Sequence, residues 1–435
     1  MSDLGRPLLH RLAARTARVC VLGQGYVGLA VAMRASEAGF PVVGYEPDPV
    51  RLDALRAGSS YVEDVSHDAL REALVRGYRP TADLSEVAGF DVAVISVPTP
   101  LTEGAPDLSY IEDAAEMVGA SLSEGALVIL ESTTYPGTTE EVVGPILEKV
   151  SGLRPGDDFL LGYSPERIDP GNSHFGLGTT PKIVSGVNAE SLVAVEAFFG
   201  SFVDCLVPVA RPAEAELAKL VENTFRHVNI ALVNELAMFA ADLEVDVWAA
   251  IDAAATKPFG FMPFHPGPGV GGHCLPIDPS YLSWRVRRRL GETFRFVELA
   301  NEINARMPVY IVRRVQESLN REGLALKGSR ILVLGLSYKP RTGDARQSPS
   351  IPIIEGLLKQ GAEVAAADPH VGPLELDAAI QRVELDAAVL RWADLVLLVT
   401  DHPEFDYELV VREARRVFDT RNRLEGAGAS HVERL

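Results

Sequence analysis

The stretch RVCVLGQGYVG, residues 18–28, decides the fold. Val19 to Leu22 form an apolar run that stops at Gly23, as a strand buried on both faces does. Gly23-Gln24-Gly25-Tyr26-Val27-Gly28 then turns the chain into a helical pattern reaching Gly39. Between a strand and a helix this G-x-G-x-x-G spacing has a mechanism. The glycines make a tight turn, let backbone approach a pyrophosphate and let the helix pack on the strand, while free amides at the helix N-terminus face the anion. Glu46 closes the next strand, PVVGYEPD, 18 residues beyond Gly28. A carboxylate there hydrogen-bonds the ribose hydroxyls of NAD and repels the extra phosphate of NADP. The blander alternative is an acidic residue opening a turn before Pro47.

Further strands follow in DVAVISVPTP (91–100) and ALVILESTTYPGT (126–138), each stopped by a proline-containing turn. Pro98 and Thr99 read either as the wall beside the nicotinamide ribose or as a plain turn. Strands alternating with helices predict a parallel, doubly wound sheet. From Pro212 to about Ala255 a helical period runs on without a further Gly or Pro, which predicts one long helix, a spine joining two domains with apolar faces for a dimer partner. Residues 293–321 again read as helix. SRILVLGLSYK (329–339) restarts the strand–turn–helix order, and GAEVAAADPHV, ADLVLLVTDHPEF and RRVFDT supply more strands without a second glycine fingerprint. The expected fold is α/β: two Rossmann-like doubly wound domains joined by a long central helix. The boundaries are 1–211 for an NAD-binding domain, 212–325 for a central helical region and 326–435 for a second α/β domain.

A chain of 435 residues exceeds one ordinary domain, and 47% apolar with 23% charged residues describes a globular protein with material for its cores. A net charge of −19 argues against nucleic acid or an anionic membrane as partner. Cys20, Cys205 and Cys274 make neither a disulfide framework nor a zinc module, so no metal is expected and a reducing cytoplasm suits the chain. Cys20 and Cys205 read as buried residues of apolar strands. The leader MSDLGRPLLHRLAARTAR lacks the apolar centre of a secretory signal and reads as a short helix or a frayed end. No apolar run reaches the roughly 20 residues of a membrane span.

Cys274 stands apart, in the glycine- and proline-crowded loop HPGPGVGGHCLPIDPSYL (265–282). Pro276 suits the first turn of a helix, and a helix N-terminus raises thiolate content. Asp278 follows about one turn later, either as a pocket residue or as a first-turn acid favoured by the helix dipole. Lys219 and Asn223 are spaced i, i+4 and share a helix face, where such a pair can hold an oxyanion or be ordinary solvated surface. An alcohol dehydrogenase needs no thiol. Oxidation of an aldehyde does, because hydride leaves from a tetrahedral adduct: a thiohemiacetal collapses to a thioester, and water releases the acid. One NAD site and one cysteine therefore permit a primary alcohol to become a carboxylate with two NAD consumed.

With these residues in view, the chain resembles the UDP-glucose/GDP-mannose dehydrogenase family over nearly its whole length. The segments that carry the resemblance are GQGYVG, SVPTP, ESTTYPGT, SPERIDPG, ELAKLVENTFRHVNIALVNELA, GVGGHCLPIDP, GLSYKPRTGDARQSP and DTRN. The resemblance implies Cys274 as the thioester-forming nucleophile, with Lys219, Asn223 and Asp278 holding the C6 oxygen and a water. Thr133 and Glu166 would position water, Glu166 assisting thioester hydrolysis. Arg167, His265, Gly271, Gly272 and Lys339 would contact the nucleotide sugar, Arg421 the sugar or the cofactor, and Thr133 and Arg346 the cofactor. It further implies a nucleotide-diphosphate hexose as substrate and a homodimer, or an assembly of dimers, built on the long helix. Phe259 to His265 contains no arginine where glucose-specific members often place one, and GPGVGGHC is more like the N-acetylhexosamine members. The sugar and the base, uracil or thymine, stay open at this point. Two alternatives are a catalytically silent sensor of NAD or nucleotide sugar, and a single-step 3-hydroxyacid-type dehydrogenase; the latter lacks both the loop cysteine and a second α/β domain.

Overall fold

The computed structural model describes residues 4–62, 64–102, 104–168, 175–272, 275–372 and 380–435. The chain packs as two compact units, Met1–Glu222 with Ser280–Gly291, and Asn223–Pro279 with Glu292–Leu435.

The strands of the first unit are β1 (Val19–Leu22), β2 (Val42–Tyr45), β3 (Arg79–Thr81), β4 (Val92–Ile95), the small hairpin β5 (Leu101–Thr102) and β6 (Ala105–Pro106), β7 (Leu127–Leu130), β8 (Leu160–Tyr163), β9 (Lys182–Gly186) and β10 (Leu206–Pro208). Apart from the hairpin they form one sheet in the order β10-β9-β8-β7-β4-β1-β2-β3. Side-chain alternation explains its two covers. Val19, Val21, Val92, Val94, Leu127 and Ile129 point into one core, and Cys20, Leu22, Ala93, Ile95, Val128 and Leu130 into the other. A four-residue strand with every residue buried can only be apolar throughout, which is why VCVL, VAVI and LVIL carry no polar face.

The second unit repeats this logic with β11 (Arg330–Leu334), β12 (Glu363–Ala367), β13 (Gln381–Arg382), β14 (Leu395–Leu398), β15 (Val417–Asp419) and β16 (Val432–Arg434). Their order is β13-β12-β11-β14-β15-β16, and all neighbours are parallel. Ile331 and Val333 face one core, Leu332 and Leu334 the other.

The structure departs from the sequence expectations at four places. The first sheet is not wholly parallel: β9 runs antiparallel to β8, its neighbour in sequence. Parallel neighbours need a crossover, and no helix is found among the described residues between these two strands. The helix from Pro212 ends at Asp242, and a separate helix runs Val247–Ala255. Between them Glu244 adopts φ +56, and the Asp246 carboxylate accepts the Trp248 and Ala249 amides as an N-cap. The helix after the cysteine loop begins at Asp278, so Pro279 and not Pro276 occupies its first turn. Cys205 lies outside any strand and is exposed, whereas Cys20 is buried and its thiol is pushed up to about 12 by burial. The leader forms the helix Arg6–Ala13 and buries Leu8 and Leu12. No helix among the described residues is long and apolar enough to cross a membrane.

Candidate active site

Each sheet has a topological switch point where strand order reverses, between β1 and β4 in the first and between β11 and β14 in the second. Ligands of doubly wound sheets bind beyond the carboxyl ends of the strands at such points.

At the first switch point the loops after β1 and β4 touch. Gly23 adopts φ +87, and a Cβ there would lie 2.3 Å from the Ser96 carbonyl oxygen. A Cβ at Gly28 would lie 1.9 Å from the Gly23 carbonyl, so the helix Tyr26–Glu37 sits against the turn. Gly25, by contrast, has open space around its Cβ position, and no side chain caps this helix start, which begins with Tyr26 and Val27. A helix start without a side-chain cap, beside the open space at Gly25, fits a pyrophosphate. Glu46 is buried, and its two oxygens accept the Gln24 amide at 3.2 Å and the Asp48 amide at 3.1 Å. These bonds fix the carboxylate at the end of β2, where the ribose of NAD is read. The residues present fit the cofactor.

The framing of this turn comes from residues the sequence did not single out. Tyr61 donates to the Gln24 carbonyl at 2.6 Å, and Tyr78 to Gln24 Oε1 at 2.7 Å. Tyr281 donates to the Thr99 carbonyl at 2.9 Å, so a residue 182 positions away in sequence holds the Pro98–Thr99 segment. Ser132, beside Thr133, bridges the Val97 amide and carbonyl. Glu216 on the long helix accepts both the amide and the hydroxyl of Thr139, anchoring the turn that follows ESTTYPGT. No local pattern marks these contacts, because each joins segments remote in sequence.

Glu166 is buried behind β8. Its Oε1 accepts the Arg167 and Ile168 amides, each at 2.7 Å, and its Oε2 accepts Lys182 Nζ at 3.0 Å. Arg167 is clamped to Glu222 at 2.7 Å. Lys219 is buried on the long helix, one turn before Asn223.

In the second unit Asn223 Nδ2 donates to Asp278 Oδ2 at 2.6 Å, so an expected pair from the helix and the cysteine loop is brought together. Cys274 itself lies outside the described residues. The loop before it is moulded by close approach: a Cβ at Gly271 would lie 2.7 Å from the Gln347 carbonyl oxygen, and one at Gly272 2.8 Å from the Tyr338 ring. The Gly272 amide donates to the Arg346 carbonyl, and the Gly267 amide to Asn234 Oδ1 at 2.9 Å. His265 stacks on Trp248 with ring centroids 5.6 Å apart.

The second switch point carries GLSYK. A Cβ at Gly335 would meet Thr400 at 2.5 Å, which brings the loops after β11 and β14 together. Asp368 Oδ2 accepts the Leu336 and Ser337 amides and faces His402 Nε2 at 3.0 Å, while Ser337 Oγ donates to the Lys339 carbonyl. The loop bearing Lys339 is thus held by buried polar groups. Arg421 Nε donates to the Val399 carbonyl at 2.7 Å, and the Arg346 guanidinium pairs with Asp344 at 2.6 Å.

Three family descriptions match consecutive parts of the chain. The NAD binding domain of the UDP-glucose/GDP-mannose dehydrogenase family covers residues 17–202, its central domain 213–306 and its UDP binding domain 332–426. The UDP-N-acetyl-D-mannosamine dehydrogenase of Pyrococcus horikoshii is 37% identical over 415 residues, 93% of this chain and 95% of that one. The UDP-N-acetyl-D-glucosamine 6-dehydrogenase of Pseudomonas aeruginosa is 36% identical over 356 residues, 81% and 83% of the two chains. Among solved structures, a UDP-D-ManNAc dehydrogenase from Pyrococcus horikoshii superposes with a TM-score of 0.87 at 35% identity, covering 96% of this chain and 98% of that one. With an NAD cradle at one switch point and a lysine-bearing loop at the other, the chain belongs to the UDP-glucose/GDP-mannose dehydrogenase family.

Proposed function

We propose that the protein is an NAD-dependent 6-dehydrogenase of a UDP-linked N-acetylhexosamine, taking the C6 hydroxyl through the aldehyde to the carboxylate. The observation that carries this is the succession of NAD-binding, central and UDP-binding segments on one chain, with the GVGGHCLPIDP loop inside the central one. The choice of sugar draws on the Pyrococcus and Pseudomonas relatives and on an arginine-free Phe259–His265 segment.

The division of labour is 1–211 for the cofactor, 212–325 for the catalytic loop and for self-association, and 326–435 for the nucleotide. Bound NAD supplies hydride acceptance, once in each oxidation. Gly23, Gly25, Gly28 and Glu46 hold it, with Tyr26, Val27, Pro98, Thr99, Thr133 and Arg346 beside it. Lys219 and Asn223 hold the developing C6 oxyanion, and Asp278, tied to Asn223, holds a water. The Cys274 sulfur adds to the aldehyde carbon, hydride leaves, and the resulting thioester is opened by a water that Glu166 deprotonates. Arg167, His265, Gly271, Gly272, Lys339 and Arg421 bind the nucleotide sugar. We place the reaction in the cytoplasm, where NAD and nucleotide sugars meet reduced cysteines.

The protein acts as a homodimer or an assembly of dimers in this reading. Leu217, Val221, Phe225, Leu232, Leu236, Phe239 and Leu243, spaced by threes, fours and sevens, are exposed along one helix and its end. An apolar stripe of that length is an association surface.

Incubation with NAD and a panel of UDP-GlcNAc, UDP-ManNAc, UDP-glucose and TDP-glucose tests the function. Two NADH per N-acetylhexosamine is the expected result. One NADH points to a single-step dehydrogenase, none to a sensor, and a preference for a glucose nucleotide overturns the sugar assignment. In Cys274→Ser, acid production collapses.

A further inference from the structure

Three buried titratable groups lie together in the first unit, and only one of them, Glu166, has a part in the proposed chemistry. Lys182, the first residue of β9, reaches Glu131 Oε1 at 2.6 Å and Glu166 Oε2 at 3.0 Å, and its Nζ also reaches the Pro165 carbonyl at 3.4 Å. Glu131 directly follows β7 and is 1% exposed; Lys182 is 3% exposed and packs 4.7 Å from the Phe199 ring centroid. Lys182 and Glu166 are the charged groups that face Glu131.

One ammonium cannot balance two carboxylates away from water, and an uncompensated buried charge is costly. The cluster therefore retains a proton, and its surroundings decide where. Glu166 accepts hydrogen bonds from two amides and the lysine, so both of its oxygens are satisfied. Glu131 meets the lysine and the side chain of Glu166 but receives no backbone amide, and its Oε2 finds no hydrogen-bond partner among the described residues. Burial pushes the Glu131 carboxyl up, Lys182 pulls it down and the neighbouring Glu166 pushes it up again, which together leave it at about 7. Burial opposes the charge on Lys182, yet the two carboxylates hold it above its ordinary value.

We propose that Glu131 and Lys182 are positioning residues for Glu166: Lys182 fixes the Glu166 carboxylate in place, and Glu131 carries the proton of the cluster so that the lysine is left to Glu166. The inference rests on the role given to Glu166 under Proposed function. Its consequence is a sensitivity to pH. Below neutrality Lys182 serves Glu166 alone. When Glu131 ionises, the lysine is divided between two carboxylates and holds Glu166 less firmly.

Two measurements on the full-length enzyme test this. Infrared difference spectra of the wild type and Glu131→Gln at pH 6 should show a protonated buried carboxyl band in the wild type that the variant lacks. Steady-state rates with NAD and whichever of UDP-GlcNAc or UDP-ManNAc is turned over should bend near neutrality in the wild type. In Glu131→Gln, kcat at pH 6 and KM stay near wild type while the bend disappears. Lys182→Met should lower kcat by about 10²-fold, the cost of misplacing a reacting group by an ångström, with KM little changed, and Lys182→Arg should recover most of it. Absence of the infrared band, or an unchanged bend in Glu131→Gln, overturns the proposal. Full acid production by Glu166→Gln instead overturns the role given to Glu166, while the infrared result stands independently of it.

Discussion

A methyl group at Gly28 would lie 1.9 Å from the Gly23 carbonyl oxygen, whereas one at Gly25 meets nothing within 4 Å. The two glycines of one motif therefore answer to different constraints, packing and ligand. Gly28→Ala should lower stability by about 1–3 kcal/mol, the usual cost of forcing an extra carbon into a packed contact. Gly25→Ala should melt like the wild type yet bind NAD at least about tenfold more weakly, a loss of roughly 1.4 kcal/mol; calorimetric melting and NAD titration check both. Glu131 gives a second prediction at this scale. Its carboxyl titrates higher in the folded chain than in the unfolded one. Its contribution to stability is therefore full below the ordinary carboxyl range and is lost as pH rises through about 7. Melting temperatures from pH 5 to 8 should fall less steeply in Glu131→Gln. The glycine motif and Glu46 are legible in the sequence because their neighbours in the chain are their neighbours in space. Glu131 and Lys182 are 51 positions apart, and neither has a local pattern that announces the other.

Among the elements, the helix Pro212–Asp242 ends at a turn that amphipathic spacing does not reveal. LEVDV contains no Gly or Pro, and the break depends on Glu244 entering the left-handed region while Asp246 caps the helix Val247–Ala255. The helix Arg295–Arg321 shows the converse, since it continues through an internal proline. Pro308 has no amide to offer the Asn304 carbonyl four residues back, and Gly269 packs there instead: a Cβ at Gly269 would lie 3.6 Å from that oxygen. Tyr281 ties another pair of elements. Tyr281→Phe should cost about 1 kcal/mol through the lost bond to Thr99 and raise KM for NAD with kcat nearly unchanged. On the exposed stripe of the long helix, Leu232→Arg with Leu236→Arg should convert the dimer proposed above to a monomer in sedimentation experiments.

Across the molecule, the same device is used twice with different contents. One switch point is lined by glycines and Glu46; at the other, GLSYK is held by Asp368, His402 and Thr400. In a chain of net charge −19 a diphosphate must be met by cations placed locally. The two binding functions should therefore separate. Gly25→Ala should leave UDP affinity intact, and Lys339→Ala should weaken UDP about tenfold, worth 1.4 kcal/mol, while NAD binding is unchanged; parallel titrations read both.

The alternation of strands and helices, the cofactor cradle and the residue types of the proposed chemistry can all be read from the order of amino acids alone, because each is written in short-range periodicity or in a compact motif. Buried strands such as VCVL and RILVL announce themselves by being apolar on both faces. Edge strands such as QR and VER do not, since their pairing is supplied by neighbours and their own residues are exposed or half-buried. The reversal of β9, the contact of Asn223 with Asp278, the tyrosines that frame the nucleotide turn and the partners of Glu166 come from the folded arrangement instead. These depend on which distant segments the cores bring within hydrogen-bonding reach, and on how many charges a dry interior can hold at once.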